Sequence, residues 1–142
     1  MNKWQTFFLD ELPPPLIDAA LGTNGVQAIA ANSMTATAVL QYAIARPGFY
    51  SAVAGYSGCA QTSDPIGREF VKLVVETWGG GGDVRNMYGE DDDPAWVTND
   101  PVVNAEGLRG TPLFISDATG GLPGPHDTLG NEFTIGGAGR RA

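Results

Sequence analysis

Cysteine is almost missing from this chain: Cys59 stands alone in 142 residues, which excludes an intrachain disulfide and a cysteine-based zinc site and leaves the redox compartment unassigned. Histidine is as scarce, with His126 the one imidazole. Basic residues are few, 8 Lys and Arg against 16 Asp and Glu, for a formal charge of −8. A phosphate backbone would meet repulsion rather than counterion release, so nucleic acid and anionic membrane surfaces are poor partners. No run of 18 apolar residues occurs, and the N-terminus reaches Asp10, Glu11 and Pro13-Pro14-Pro15 without the apolar segment of a signal peptide. The expectation is a chain that neither inserts into a membrane nor carries its own export signal.

What is present is a globular composition rich in turns: 42% hydrophobic and 17% charged residues, with 20 glycines and 10 prolines. The length suits one domain with one core. Trp4, Phe7, Phe8 and Leu12 recur at helical spacing up to Pro13, and a further turn or two from Leu16 to Ala20 would close at Gly22. Val26 to Ala30 is short, apolar and bounded by Asn24-Gly25; it is read as a buried parallel strand, although the pattern alone also permits a helical turn. After Ser33, the positions Met34, Ala38, Leu40, Gln41, Ile44 and Ala45 predict a helix that Pro47-Gly48 stops. Phe49 to Ser57 predicts a second strand. Ile66, Phe70, Val74 and Thr77 mark a helix face ending at Trp78 and the glycines 79–82. The stretch 83–108 is irregular, and Thr111 to Ser116 predicts a last strand. Strands alternating with helices predict an α/β fold, a parallel sheet with helices on both faces. Residues 1–130 are expected to form the domain, and 131–142 an irregular or non-native tail.

In open parallel sheets reactive groups gather at the carboxyl ends of strands. Ser33, in Ala31-Asn32-Ser33-Met34-Thr35 between strand and helix, occupies the place of the serine in a G-x-S-x-G nucleophile elbow. Ala31 and Thr35 replace both glycines, and on the residues alone a serine capping the helix N-terminus explains the position as well.

The stretch Lys3 to Pro13, the Asn32-Ser33-Met34 turn, the strand from Phe49-Tyr50 to Ser57-Gly58, Met87-Tyr88-Gly89, Asp93-Pro94-Ala95-Trp96 and Asn99-Asp100-Pro101 occur together in this order. In this the chain resembles the antigen 85 and corynebacterial mycolyltransferases, secreted cell-envelope enzymes among the esterase-type α/β hydrolases, from about Lys3 to about Leu129. The resemblance implies a partial α/β-hydrolase fold and acyl transfer. Ser33 would attack an ester carbonyl of a trehalose mycolate-type glycolipid, and the acyl-enzyme would pass its chain to trehalose, a related glycan or water. No cofactor or metal is needed. Ser33 is then the nucleophile and the Met34 N–H one of two oxyanion donors.

A triad serine also needs a histidine oriented by a carboxylate. In the family the acid and the base lie beyond the matched region, and the second oxyanion donor comes from strands before it. The resemblance therefore implies a member shortened at both ends, without acid or base in this chain; the alternative is a catalytically inactive fragment or decayed copy. His126, next to Asp127 on a Gly/Pro loop with Asp117 and Glu132 near in sequence, is read as a solvated loop residue, because adjacent side chains point apart and cannot orient one another.

The other constellations have two readings each. Glu90-Asp91-Asp92-Asp93 is a surface charge run or a hard-cation site. Trp78, Tyr88 and Trp96 are buried anchors of the irregular stretch or a sugar-stacking surface. The glycines 79–82 lack the Lys-Ser/Thr of a phosphate loop and serve as a connection. Cys59, at a strand end, is a small buried residue or has lost a disulfide partner.

Overall fold

The computed structural model describes residues 3–13, 17, 19–78 and 81–117. The expected tail 131–142 and His126 lie outside them, as does the side chain of Trp78.

The N-terminal aromatic segment forms α1 (Trp4–Thr6) and continues as π-type turns over Phe7–Glu11, with the Leu12 amide reaching back to the Phe7 carbonyl at 2.8 Å. Widening the turn rotates the inward face. Leu9, outside the expected stripe, is the residue in the core, while Trp4 is half exposed and stacks on Phe8. A short α2 (Ala19–Leu21) follows and ends at Gly22, whose φ of 59° suits a residue without Cβ.

Three strands make one parallel sheet in the order β1-β2-β3: β1 (Gln27–Asn32), β2 (Tyr50–Tyr56) and β3 (Leu113–Ser116). Each falls within one or two residues of its predicted span. The crossover from β1 to β2 is α3 (Met34–Ala45), which buries Ala36, Val39, Leu40 and Ala43. Met34, one of the apolar positions that predict the helix, is exposed, because α3 has an apolar surface nearly all round and only tertiary packing chooses among its faces.

The side chains that α3 covers are those of Ile29, Val53 and neighbours of one parity, and Leu9, Tyr50 and Leu108 complete this core. Residues of the other parity stay open: Ala28 and Ala30 are exposed, and Phe114 is 56% exposed against the ring of Tyr56. Helices on both faces were expected; among the described residues the core lies on one face only, and β1 alternates between half-buried and exposed rather than being buried throughout.

After β2 the chain passes through α4 (Pro65–Lys72), extended by π-type turns over Leu73–Trp78, then α5 (Arg85–Tyr88), α6 (Ala95–Thr98) and a 3-10 turn over Ala105–Leu108 before β3. Asp64 caps α4 by accepting the Ile66 and Gly67 amides, and Pro65 supplies the preset first φ. The predicted α4 face is again not the buried one: Ile66 is 70% and Phe70 45% exposed, and Gly67 is the buried residue. A second cluster forms around fully buried Trp96, with Val84 and Tyr88. No helix of the described residues is long and apolar enough to cross a membrane.

Candidate active site

The end of β1 turns into α3 within one residue, Ser33. It lies at φ 54° and ψ −134°, the backbone of the first central residue of a II′ turn, a place normally taken by glycine. Such a residue costs of the order of 1–3 kcal/mol and persists only where its surroundings over-determine it. The Ser33 amide donates to Tyr56 O at 2.8 Å, the Ala36 amide donates to Ser33 O at 3.0 Å, and the Thr35 hydroxyl donates to Asn32 O at 2.7 Å. The main chain on both sides of the serine is thus held, while its side chain is exposed and makes no capping bond to α3. A helix-capping role leaves no trace in the geometry. Met34, the next residue, opens α3, and the first amides of a helix have no intrahelical acceptor.

The strand exit beside it, Tyr56 to Cys59, carries the predicted strand end Ser57-Gly58 and the lone Cys59, but its contact with the serine turn is visible only in the structure. Ser57 also has positive φ, 51°. Gly58 passes so close to α3 that a Cβ on it would lie 2.4 Å from the Cβ of Ala36 and 3.2 Å from Ser33 O. The Thr37 hydroxyl donates to Cys59 O at 2.6 Å. Cys59 itself is a half-buried free thiol whose Sγ donates to Gln61 O at 3.3 Å. Burial, and then the nearby Asp64, push that thiol up, so it stays protonated at neutral pH and is a poor nucleophile.

Further along, Asp100 is fully buried and accepts the Ser63, Val102 and Val103 amides. Burial alone would raise its carboxyl, but the Ser63 hydroxyl and amide with the Val103 and Val102 amides outweigh it and hold the group below the usual carboxylate range. The Gln41 side-chain amide, from α3, donates to Tyr88 Oη at 2.7 Å and Asn99 O at 2.6 Å. Asn99-Asp100-Pro101 therefore fastens the irregular stretch to α3 and to the β2 exit. An Asp before Pro signals a turn; nothing in the sequence signals which distant amides it meets.

The weaker constellations resolve into structure. Asp91 pairs with Lys72 at 3.0 Å, Glu90 lies 3.8 Å from Arg85, and Asp93 accepts the Ala95 amide at 2.8 Å ahead of α6; the acidic run is a solvated, ion-paired surface. Tyr88 and Trp96 are buried against each other with ring centroids 4.9 Å apart, so they anchor the irregular stretch rather than present a stacking surface. Among the described residues no group of three His, Cys, Asp or Glu side chains could hold a metal ion.

Comparison with known proteins bears on the family and the fold. The family described as "Putative esterase" matches residues 1–115. The chain is 34% identical over 103 residues to the diacylglycerol acyltransferase/mycolyltransferase Ag85A of Mycobacterium leprae, covering 72% of this chain and 31% of that protein. It is 32% identical over 102 residues to the Ag85A of Mycobacterium tuberculosis, covering 72% of this chain and 30% of that one. The fold is similar to the crystal structure of Mycobacterium tuberculosis MPT51 (FbpC1), with a TM-score of 0.73 and 24% identity over 86% of this chain and 46% of that chain. The chain spans about a third of the length of the curated relatives it matches. The sheet and helices are thus part of an α/β-hydrolase fold, and the chain belongs to the putative esterase family, similar within it to the antigen 85 mycolyltransferases.

Proposed function

We propose that this chain carries the nucleophile of a serine acyltransferase or esterase that moves mycolyl-type acyl groups onto trehalose or a related glycan. The observation that carries the reading is the exposed Ser33 held at φ 54° and ψ −134° between β1 and α3. Strain of this kind is kept where it serves a reaction, and here it lifts the one side chain of the turn that can attack a carbonyl.

In the proposed first step the Ser33 oxygen adds to the ester carbonyl of a glycolipid donor while its proton passes to a histidine base. The Met34 amide donates to the resulting oxyanion, and collapse of the tetrahedral intermediate releases the donor's glycan alcohol. The acyl group then leaves Ser33 for an acceptor hydroxyl by the reverse sequence, or for water in an esterase. No histidine is among the described residues, and the resemblance puts the base and its carboxylate beyond the matched region. By analogy with subtilisin, loss of the nucleophile or the histidine removes about a millionfold in turnover. Turnover by the isolated chain is accordingly expected to be negligible, with single-hit acylation of Ser33 the informative event.

The test is to treat the folded chain with a fluorophosphonate or a p-nitrophenyl ester and map the adduct by mass spectrometry. Slow modification that is nonetheless selective for Ser33 over the other serines of the chain, and absent in Ser33→Ala, is the expected result, since the Met34 amide is present and the base is not. A folded chain in which Ser33 reacts no faster than its other serines would overturn the proposal in favour of an inactive copy of such an enzyme.

A further inference from the structure

Ser33 and Ser57 are the two non-glycine residues with positive φ among the described residues, and they leave neighbouring parallel strands side by side. The ladder pairs Asn32 with Tyr56, so the two serines occupy the next step of the same register. From there the β2 exit meets the elbow residue by residue. Tyr56 O accepts the Ser33 amide at 2.8 Å. Ser57 bends the chain, its amide fixed to Ser116 O of β3 at 2.7 Å. Gly58 then lies against Ala36, closer than a Cβ would allow, with Ser33 O beside it, and Cys59 O accepts the Thr37 hydroxyl at 2.6 Å.

We infer that the β2 exit, residues 56–59, is the template that holds Ser33 in its strained backbone conformation, with Gly58 and Thr37 as the positioning residues. The G-x-S-x-G elbow places its glycines within the turn because strand and helix approach each other there. This chain has Ala31 and Thr35 at those places and meets the same steric demand from the facing strand, where Gly58 gives way to the first turn of α3. Thr37, one turn into the helix, ties that turn to the segment carrying Gly58, and the bend at Ser57 aims it.

The geometric claim stands on these contacts alone; its consequence for reactivity rests on the reading of Ser33 as the nucleophile. The experiment uses the whole chain, uniformly labelled with nitrogen-15, as wild type, Thr37→Val, Thr37→Ser and Gly58→Ala. Amide hydrogen exchange at Ser33 and along β2 is followed, together with the rate of fluorophosphonate labelling at Ser33. Thr37→Val is expected to speed exchange at Ser33 about tenfold, the scale of one lost hydrogen bond, with β2 amides unchanged and labelling slowed in parallel. Thr37→Ser is expected to stay within about twofold of wild type, since it keeps the donor. Exchange at Ser33 that does not change in Thr37→Val, or that rises equally throughout β2, overturns the template; should Gly58→Ala fail to fold, Thr37→Val decides. A wild-type chain that takes no label sinks the nucleophile reading, while the exchange data still judge the template.

Discussion

Asp100 accepts the backbone amide of Ser63 at 2.7 Å, closing a loop of 37 residues between the β2 exit and the turn before β3. Its other oxygen accepts the Val102 and Val103 amides at 2.8 and 3.1 Å, and the side chain is shut away from water. Asp100→Ala leaves three amides without their acceptor, each a desolvated donor, and is expected to cost about 3 kcal/mol in urea unfolding. Asp100→Asn keeps one acceptor oxygen and is expected to lose about half of that. A loss below about 1 kcal/mol for the alanine variant would show that the loop closes without this residue.

The same carboxylate sets a pH dependence. Its folded pKa is depressed, so the folded state binds its proton less readily than the unfolded chain does, and stability rises with pH across the interval between the two values. The contribution is fully present above the unfolded pKa of about 3.9 and is lost as the pH falls through the folded value below it. Chemical denaturation at a series of pH values between about 5 and 2 is expected to show this loss in wild type and a flatter profile in Asp100→Asn. Equal slopes in the two proteins would assign acid sensitivity to other groups.

The elements were legible in the sequence because strands, crossover helix and stops are local signals: Asn24-Gly25 before β1 and Pro47-Gly48 after α3 act where predicted. Which face of each helix turns inward was not, as Ile66 and Phe70 illustrate; small residues such as Ala36 and Gly67 are buried where chain segments approach closely, and no hydropathy pattern marks that. Ser33 could be located from its setting at a strand-to-helix junction. The partners that hold it, Tyr56, Gly58 and Thr37, come from chain pairing in space, and the same is true of Asp100 and Gln41.

Trp96 makes no contact with water: it packs on Tyr88, its Nε1 donates to Glu90 O at 3.0 Å, and the Arg68 guanidinium lies 5.4 Å from its ring centroid. Trp96→Ala is expected to destabilise the chain by about 3–5 kcal/mol, the range for emptying a buried aromatic site. Trp96→Phe should cost less, since it keeps most of the volume and gives up the indole N–H. Thermal and urea unfolding measure both, and a small effect of the alanine variant would mean that the second cluster folds independently of its largest side chain.

Ser33→Gly separates strain from chemistry. Glycine adopts positive φ without a Cβ clash, which removes a cost of about 1–3 kcal/mol, against somewhat under 1 kcal/mol of added unfolded-state entropy. The variant is expected to be more stable than wild type by about 1 kcal/mol while losing all label at position 33. Equal or lower stability would mean that the conformation carries no strain.

β3 bonds to β2 on one side only among the described residues, and its Leu113, Phe114 and Ile115 are 44–57% exposed. An open strand edge with apolar side chains is a template for pairing with another chain, and the exposed alanines of β1 and the Tyr56–Phe114 ring pair widen the apolar surface beside it. Sedimentation or light scattering is expected to find association that grows with concentration. Phe114→Lys places a charge where a second sheet would have to pack, and removes a ring whose burial is worth about 1.5–3 kcal/mol. It is expected to weaken association by about tenfold or more while leaving the core under α3 intact. A wild-type chain that stays monomeric and unfolds cooperatively at high concentration would show that this edge is protected.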